Sequence, residues 1–443
     1  MGREAHPQVL QQYGQLDNQQ VQTYVDGIGQ RLAAGSERPG LEWHFTVVDV
    51  PVANAFALPG GYIYVTRDIM AYMNNEAELA GVLGHEIGHV TARHSVEQIS
   101  KAQLFSLGLG VGSIISPTFE QLSGLAESGL GLLFLKYGRD DERQADGLGI
   151  KYMLQQGYDP RKMVEFFEVF ERMQEKSGEV LPNWLSTHPS PPDRIKRSNE
   201  EVGQLLANRP TTDLRVAREP YLGQLAGVIY GENPREGFTQ DGWFLHPDLR
   251  FRIQFPNGWK VQNTRSAVVA AEPNGAAAIQ LTLATERRTP EDYAALLANQ
   301  PGVRLVSGNR TSINGNPSFL GVYEVLNQDT QQAIEALAAF IAYGGNLYEV
   351  VGITSPTQFR SASRIFESSL TTFGQLTDSR ALGVQPDRIR IVRAREGQTL
   401  RELAERLQNS RIKLEDLALL NRLEPNEPLR GGVEVKLIEP GRR

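Results

Sequence analysis

The chain has 443 residues, with 45 Lys and Arg against 52 Asp and Glu, a formal net charge of −7, 40% hydrophobic and 22% charged residues, seven His and no Cys. That length exceeds one ordinary core at roughly 150 residues per domain, and the acidic balance excludes a general nucleic-acid binder, which needs a basic face to release counterions. Without cysteine there is no disulfide scaffold, thiolate zinc site or cysteine nucleophile, so any bound metal must be held by His and carboxylate groups.

In chain order, the opening Met1-Gly-Arg-Glu-Ala-His lacks the apolar core of a signal peptide. No run of 18 apolar residues occurs, the nearest stretches being 104–116 and 129–137, so no membrane-spanning helix is expected. Residues 45–50 and 61–66 have the β-branched and aromatic content of strands. Between them 54–61, Asn-Ala-Phe-Ala-Leu-Pro-Gly-Gly, reads as a short extended piece ending in a turn. Asn75-Glu-Ala-Glu78 is an N-cap followed by a capping-box acid, opening a helix to about residue 100. A second helix is expected over about 140–156, closed by Gly157, and a third over about 160–176. From Trp184 to Pro192 the three prolines 189, 191 and 192 predict a stiff extended loop. Residues 206–237 are punctuated by Gly and Pro and read as a linker. Beyond it, 249–255, 278–283 and 347–353 read as strands and 290–299 as a helix, which makes 238–375 an α/β accessory domain. The last unit, 387–438, reads strand, helix, helix, strand, and the fold class expected for the chain is α+β.

The chemistry concentrates in His85-Glu-Ile-Gly-His89. A spacing of four puts the two imidazoles one helical turn apart on one face, so both can reach one metal ion. Glu86 is one step round, where it can serve as general base toward a water whose pKa zinc lowers to about 7. The preceding Leu79-Ala-Gly-Val-Leu-Gly84 is apolar and small, which buries the helix, and burying two His and a Glu is costly unless they are paired or metal-bound. A metzincin pattern would need Gly at 92 and His at 95, where Ala92 and Ser95 stand. His94, nine residues from His85, would lie about half a turn round on a continuing helix and is read as structural. For the third ligand Glu142 is favoured, with Asp146 one turn on to accept an N–H from a ligating His. Asp140 and Asp141 are rivals on spacing, and small Ala145 and Gly147 would let the two helices approach.

Together His-Glu-Ile-Gly-His, the upstream Asn54-Ala-Phe-Ala-Leu-Pro-Gly-Gly and the downstream Arg139, Glu142, Ala145 and Asp146 resemble metallopeptidase family forty-eight, in its soluble bacterial branch, over about residues 5–200. The resemblance implies one zinc ion per chain bound by His85, His89 and Glu142, Glu86 as catalytic base, and a gluzincin-like, mainly helical peptidase domain (1–205) with a small sheet. It extends to Thr187-His188-Pro189 and Arg194: His188 is implied as oxyanion partner or as fourth zinc ligand in a resting form, and Arg194 as an orienting group. Asn54, Ala55 and Phe56 would lie on an edge strand that binds extended polypeptide. The accessory domain resembles PsbP/Mog-type modules. The 387–438 unit resembles a LysM module, with Glu396-Gly-Gln-Thr399 where that family commonly has Pro-Gly-Asp-Thr, and peptidoglycan is its implied ligand. The expectation is therefore a zinc endopeptidase of the bacterial periplasm acting on unfolded or misassembled protein, with a targeting segment preceding Met1. The competing reading is a tethered, chaperone-like binding protein whose zinc site is latent.

Overall fold

A computed structural model describes residues 2–94, 137–177, 184, 187–188, 194–284, 286–326, 333–407 and 411–442. The apolar stretches 104–116 and 129–136 and Pro189, Pro191 and Pro192 lie outside these residues, while the helix expected to reach about residue 100 ends at Thr91, where Arg93 at φ 67° breaks it. Two compact units are present: one combines the N-terminal region to Asn233 with Pro386–Gly441, and the other is chiefly 234–385. The chain is α+β. No helix among the described residues is long and apolar enough to cross a membrane.

The first unit opens with helices α1 (Gly2–Tyr13) and α2 (Gln19–Ala34), followed by strands β1 (His44–Val48), β2 (Ala55–Leu58) and β3 (Tyr62–Thr66). They form a sheet of order β1-β3-β2, parallel between β1 and β3 and antiparallel between β2 and β3, with Phe56 opposite Tyr64. Helix α3 (Arg67–Tyr72) leads to α4 (Glu76–Thr91), whose N-cap Asn75 accepts the Glu78 N–H. Every residue from Glu76 to Val90 is buried, as expected of a helix apolar on nearly all sides. Arg93, at φ 67°, turns the chain away just beyond its end.

Helices α5 (Arg139–Gln155), α6 (Arg161–Ser177), α7 (Arg194–Leu206) and α8 (Arg218–Leu225) complete this part. Glycines set the α4–α5 spacing. A Cβ on Gly88 would fall 3.0 Å from the Ala145 Cα, and one on Gly84 3.2 Å from the Gly149 Cα. On the α5 side the close approach uses Ala145 and Gly149. Gly147, expected to share that role, would instead present a Cβ to the Glu201 carboxylate. Within the 206–237 stretch expected as a linker, α8 buries Tyr221, Leu222 and Leu225 completely.

In the second unit, strands β4 (Phe238–Gln240), β5 (Trp243–His246), β6 (Phe251–Gln254), β7 (Lys260–Asn263), β8 (Ala267–Ala271) and β9 (Ala277–Leu283) precede helix α9 (Pro290–Ala298). Long strands β10 (Val303–Ile313), β11 (Asn316–Leu326), β12 (Ala333–Tyr343) and β13 (Asn346–Thr354) follow, then helix α10 (Pro356–Leu370), strand β14 (Gly374–Gln375) and helix α11 (Ser379–Leu382). A seven-stranded sheet of order β10-β11-β12-β13-β9-β8-β7 carries α10 on one face and α9 on the other, each with its own apolar cluster. The chain returns to the first unit with β15 (Arg388–Arg393), α12 (Leu400–Glu405), α13 (Leu414–Asn421) and β16 (Glu434–Glu439), the two strands pairing antiparallel. Leu400, Leu417, Leu420 and Leu437 share one core with Leu79 and Leu83 of α4.

Candidate metal centre

Helical spacing on α4 brings His85 Nε2 and His89 Nε2 to 3.0 Å from each other. Glu142 enters from the first turn of α5, its Oε1 lying 3.3 Å from His89 Nε2 and its Oε2 3.6 Å from His85 Nε2. His188 closes the group, with Nδ1 3.1 Å from His85 Nε2 and 2.9 Å from Glu142 Oε1. One donor atom from each of these four buried residues lies within 4.8 Å of the others, the spacing of a metal-binding set.

The outer partners fix which nitrogens face inward. His85 Nδ1 is 2.9 Å from Asp146 Oδ1, and a carboxylate can only accept, so this nitrogen carries the proton. His89 Nδ1 meets His94 Nδ1 at 2.9 Å, and His94 Nε2 meets Gln144 Oε1 at 3.1 Å. With the His94 proton donated to Gln144, His94 Nδ1 accepts from His89. Both ligand imidazoles then point lone pairs at each other across 3.0 Å, an arrangement a shared cation relieves. Two more observations fit a metal. Among the described residues neither Glu86 oxygen nor His188 Nε2 has a hydrogen-bond partner, although all three are buried. The donor set, imidazoles plus one carboxylate, is also one that zinc takes. His85, His89 and Glu142 would hold the ion, with His188 in reach of a fourth position.

Burial pushes the Glu86 carboxyl up to about 7, suiting it to take up and return a proton near neutrality. Burial would raise Glu142 too, but His188, Arg194 and His85 together hold it well below the usual carboxylate range. Burial lowers His85 and His89. At His188 burial also acts downward, but Glu142 and Glu86 outweigh it and raise this imidazole. Arg194 is buried, donates from Nε and Nη2 to Asp146, lies 3.0 Å from Glu142 Oε2 and stacks over Phe167.

The profile of peptidase family M48 matches residues 19–202, the stretch that supplies every one of these side chains. Residues 19–202 are a peptidase family M48 domain. Mitochondrial metalloendopeptidase OMA1 of Arabidopsis thaliana is 36% identical over 183 residues, covering 41% of this chain and 36% of that protein. The Schizosaccharomyces pombe protein of the same name is 32% identical over 216 residues, 48% of this chain and 63% of its own length. The beta-barrel assembly-enhancing protease of Escherichia coli is 28% identical over 345 residues, 71% of this chain and 70% of that protein. The chain thus spans less than two thirds of the length of the two OMA1 relatives. The solution structure of cyanobacterial PsbP from Synechocystis covers 30% of the chain and 91% of its own at 16% identity and a TM-score of 0.26, too weak a likeness to assign a fold.

Of the residues singled out in the sequence, His85, Glu86, His89, Glu142, Asp146, His188 and Arg194 all meet in this M48 centre. Asn54, Ala55 and Phe56 are buried at the edge of the three-stranded sheet, and the neighbouring Ala53 carbonyl accepts the Trp184 N–H at 3.1 Å. Asp140 is exposed and paired with Arg143, while Asp141 accepts the Gly138 N–H, so neither reaches the centre. Sequence reasoning missed the aromatic wall: Trp184 stacks on His188 at 4.1 Å between ring centroids and Tyr137 on His89 at 3.7 Å. It also missed the contact of His94 with His89. The half-turn argument assumed a continuous helix, whereas α4 ends at Thr91 and Arg93 folds the next residue back.

Proposed function

We propose that the chain is a zinc-dependent endopeptidase of the gluzincin type, with Glu86 as general base and His85, His89 and Glu142 as zinc ligands. The observation that carries this reading is the buried Glu86 carboxylate, without a hydrogen-bond partner among the described residues, beside four converging metal-type donors. Zinc supplies Lewis acidity, lowering the pKa of water to about 7 and polarising the scissile carbonyl. Glu86 accepts the proton of the attacking water and returns it to the leaving amine. His188 Nε2, buried and without a hydrogen-bond partner among the described residues, is the donor assigned to a developing oxyanion. In a resting form the same imidazole would instead be in reach of a bound zinc ion as a fourth ligand. Asp146 and Arg194 hold His85 and Glu142 in place. Extended polypeptide is the substrate, lying along the β2 edge at Asn54, Ala55 and Phe56.

Substrates are unfolded or misassembled proteins of the bacterial envelope, in line with relatives named for β-barrel assembly. The C-terminal unit is LysM-like and offers peptidoglycan as a ligand. Purified protein should contain about one equivalent of zinc. Glu86→Gln should keep the metal while losing about 10²–10⁴-fold in cleavage of an unfolded protein such as casein. Near-normal turnover by Glu86→Gln rejects the mechanism, and a zinc-loaded chain that cleaves nothing favours the chaperone-like reading.

A further inference from the structure

Two buried carboxylates open α4, and different parts of the chain hold them. Glu76 takes the hydroxyls of Tyr24 and Tyr158, each at 2.5 Å, and Arg215 at 2.7 Å. Glu78 accepts the Asn74 N–H at 2.9 Å and both terminal nitrogens of Arg422, at 2.9 and 2.6 Å. Arg422 belongs to the C-terminal unit and is the C-cap of α13 at φ 54°, a backbone region that favours glycine. An arginine placed there against its backbone preference, with a bidentate grip on a buried carboxylate, acts through its guanidinium.

Lys436 on β16 is 1% exposed and donates to the carbonyls of Ala71 at 2.6 Å and Met73 at 2.8 Å, the end of α3. Burial holds this ammonium well below its ordinary pKa, a cost that points to a specific placement. Asn74 Nδ2 reaches the Leu420 carbonyl at 3.0 Å, and Arg218 ties the Asn74 carbonyl to that of Glu434. Every residue between α3 and α4 is therefore gripped, directly or through Glu78, from the C-terminal unit.

We infer that the C-terminal unit is a positioning element of the metal helix: Arg422 and Lys436 fix the α3–α4 corner and, through it, the placement of His85 and His89. The inference rests on the reading of α4 as the zinc helix. From Glu78 to His85 is two helical turns, about 10 Å along a continuous helix, with both residues on nearly the same face. Small misplacements of a ligand set are expensive in metal affinity and turnover.

Arg422→Gly separates this role from the unit's own folding, since glycine keeps the left-handed cap while the side chain, guanidinium included, is removed. In the full chain, amide hydrogen exchange over 76–91 should rise roughly tenfold, the factor for losing one charge-assisted contact, with 290–298 unchanged. Zinc affinity, read by competition with a chromophoric chelator, should fall by a similar factor, and kcat should fall at constant KM. Arg422→Lys should recover part of each, and Lys436→Met should act in the same direction as Arg422→Gly. Unchanged exchange over 76–91 with unchanged zinc affinity in Arg422→Gly overturns the inference, as does an exchange increase confined to 388–439. A wild-type chain that binds no zinc overturns the proposed function instead, and exchange over 76–91 then decides the positioning role alone.

Discussion

His94 orients a ligand without touching the centre, and that predicts a measurable cost. With its acceptor at His94 Nδ1 removed, His89 loses the partner that keeps its proton on Nδ1 and its Nε2 lone pair inward. His94→Ala should weaken zinc binding about 10–100-fold, the usual cost of losing such an outer partner, while the fold by circular dichroism stays intact. Chelator competition giving wild-type affinity would remove His94 from the site. The ligand set itself was legible because helical period and metal-ligand chemistry impose the four-residue spacing. The contact of His94 was not, because a single left-handed residue, Arg93, redirects the chain in a way no periodicity anticipates.

At the scale of elements, the centre depends on how closely α4 and α5 pack. Gly88→Ala would set a Cβ 3.0 Å from the Ala145 Cα and 3.1 Å from its carbonyl oxygen, backbone atoms that can move only if the helices separate. We expect a loss of about 1–3 kcal/mol by calorimetry, together with weaker zinc binding. Gly147→Ala is the contrasting case. Its Cβ meets only the flexible end of Glu201, and helix propensity favours alanine by about 1 kcal/mol, so stability should hold or rise. Equal effects at both positions would contradict this account of the interface. Helices α4, α5 and α6 were legible from caps and apolar spacing. Strand β12, Ala-Ile-Glu-Ala-Leu-Ala-Ala-Phe-Ile-Ala-Tyr, was not. Its alanines favour helix, and it becomes a strand because β11 and β13 flank it and the sheet buries most of it on both faces. Helix α8 was hidden for a similar reason: Pro220, Gly223 and Gly227 read as punctuation, while Tyr221, Leu222 and Leu225 owe their burial to tertiary packing.

Across the whole molecule the two units keep separate cores, so each should answer to pH through its own buried groups. In the second unit Glu349 is 1% exposed and sits on β13 directly opposite Thr282 of β9. Its Oε2 accepts the Tyr293 hydroxyl at 3.2 Å, and Oε1 has no partner among the described residues. Burial pushes this carboxyl up to about 7, whereas in the unfolded chain it titrates near ~4.3. Between those values the folded state holds the extra proton, so the contribution of Glu349 to stability falls as pH rises. That contribution is fully present below about pH 4, is lost by about pH 7 and stays constant above. Glu349→Gln keeps the shape and removes the titration. Relative to wild type, it should change little at pH 4.5 and gain up to about 3 kcal/mol at pH 8. Urea unfolding of the full chain, with hydrogen exchange of the β9–β13 strands as the local readout, makes the comparison. A gain of equal size at both pH values would show that a different group titrates.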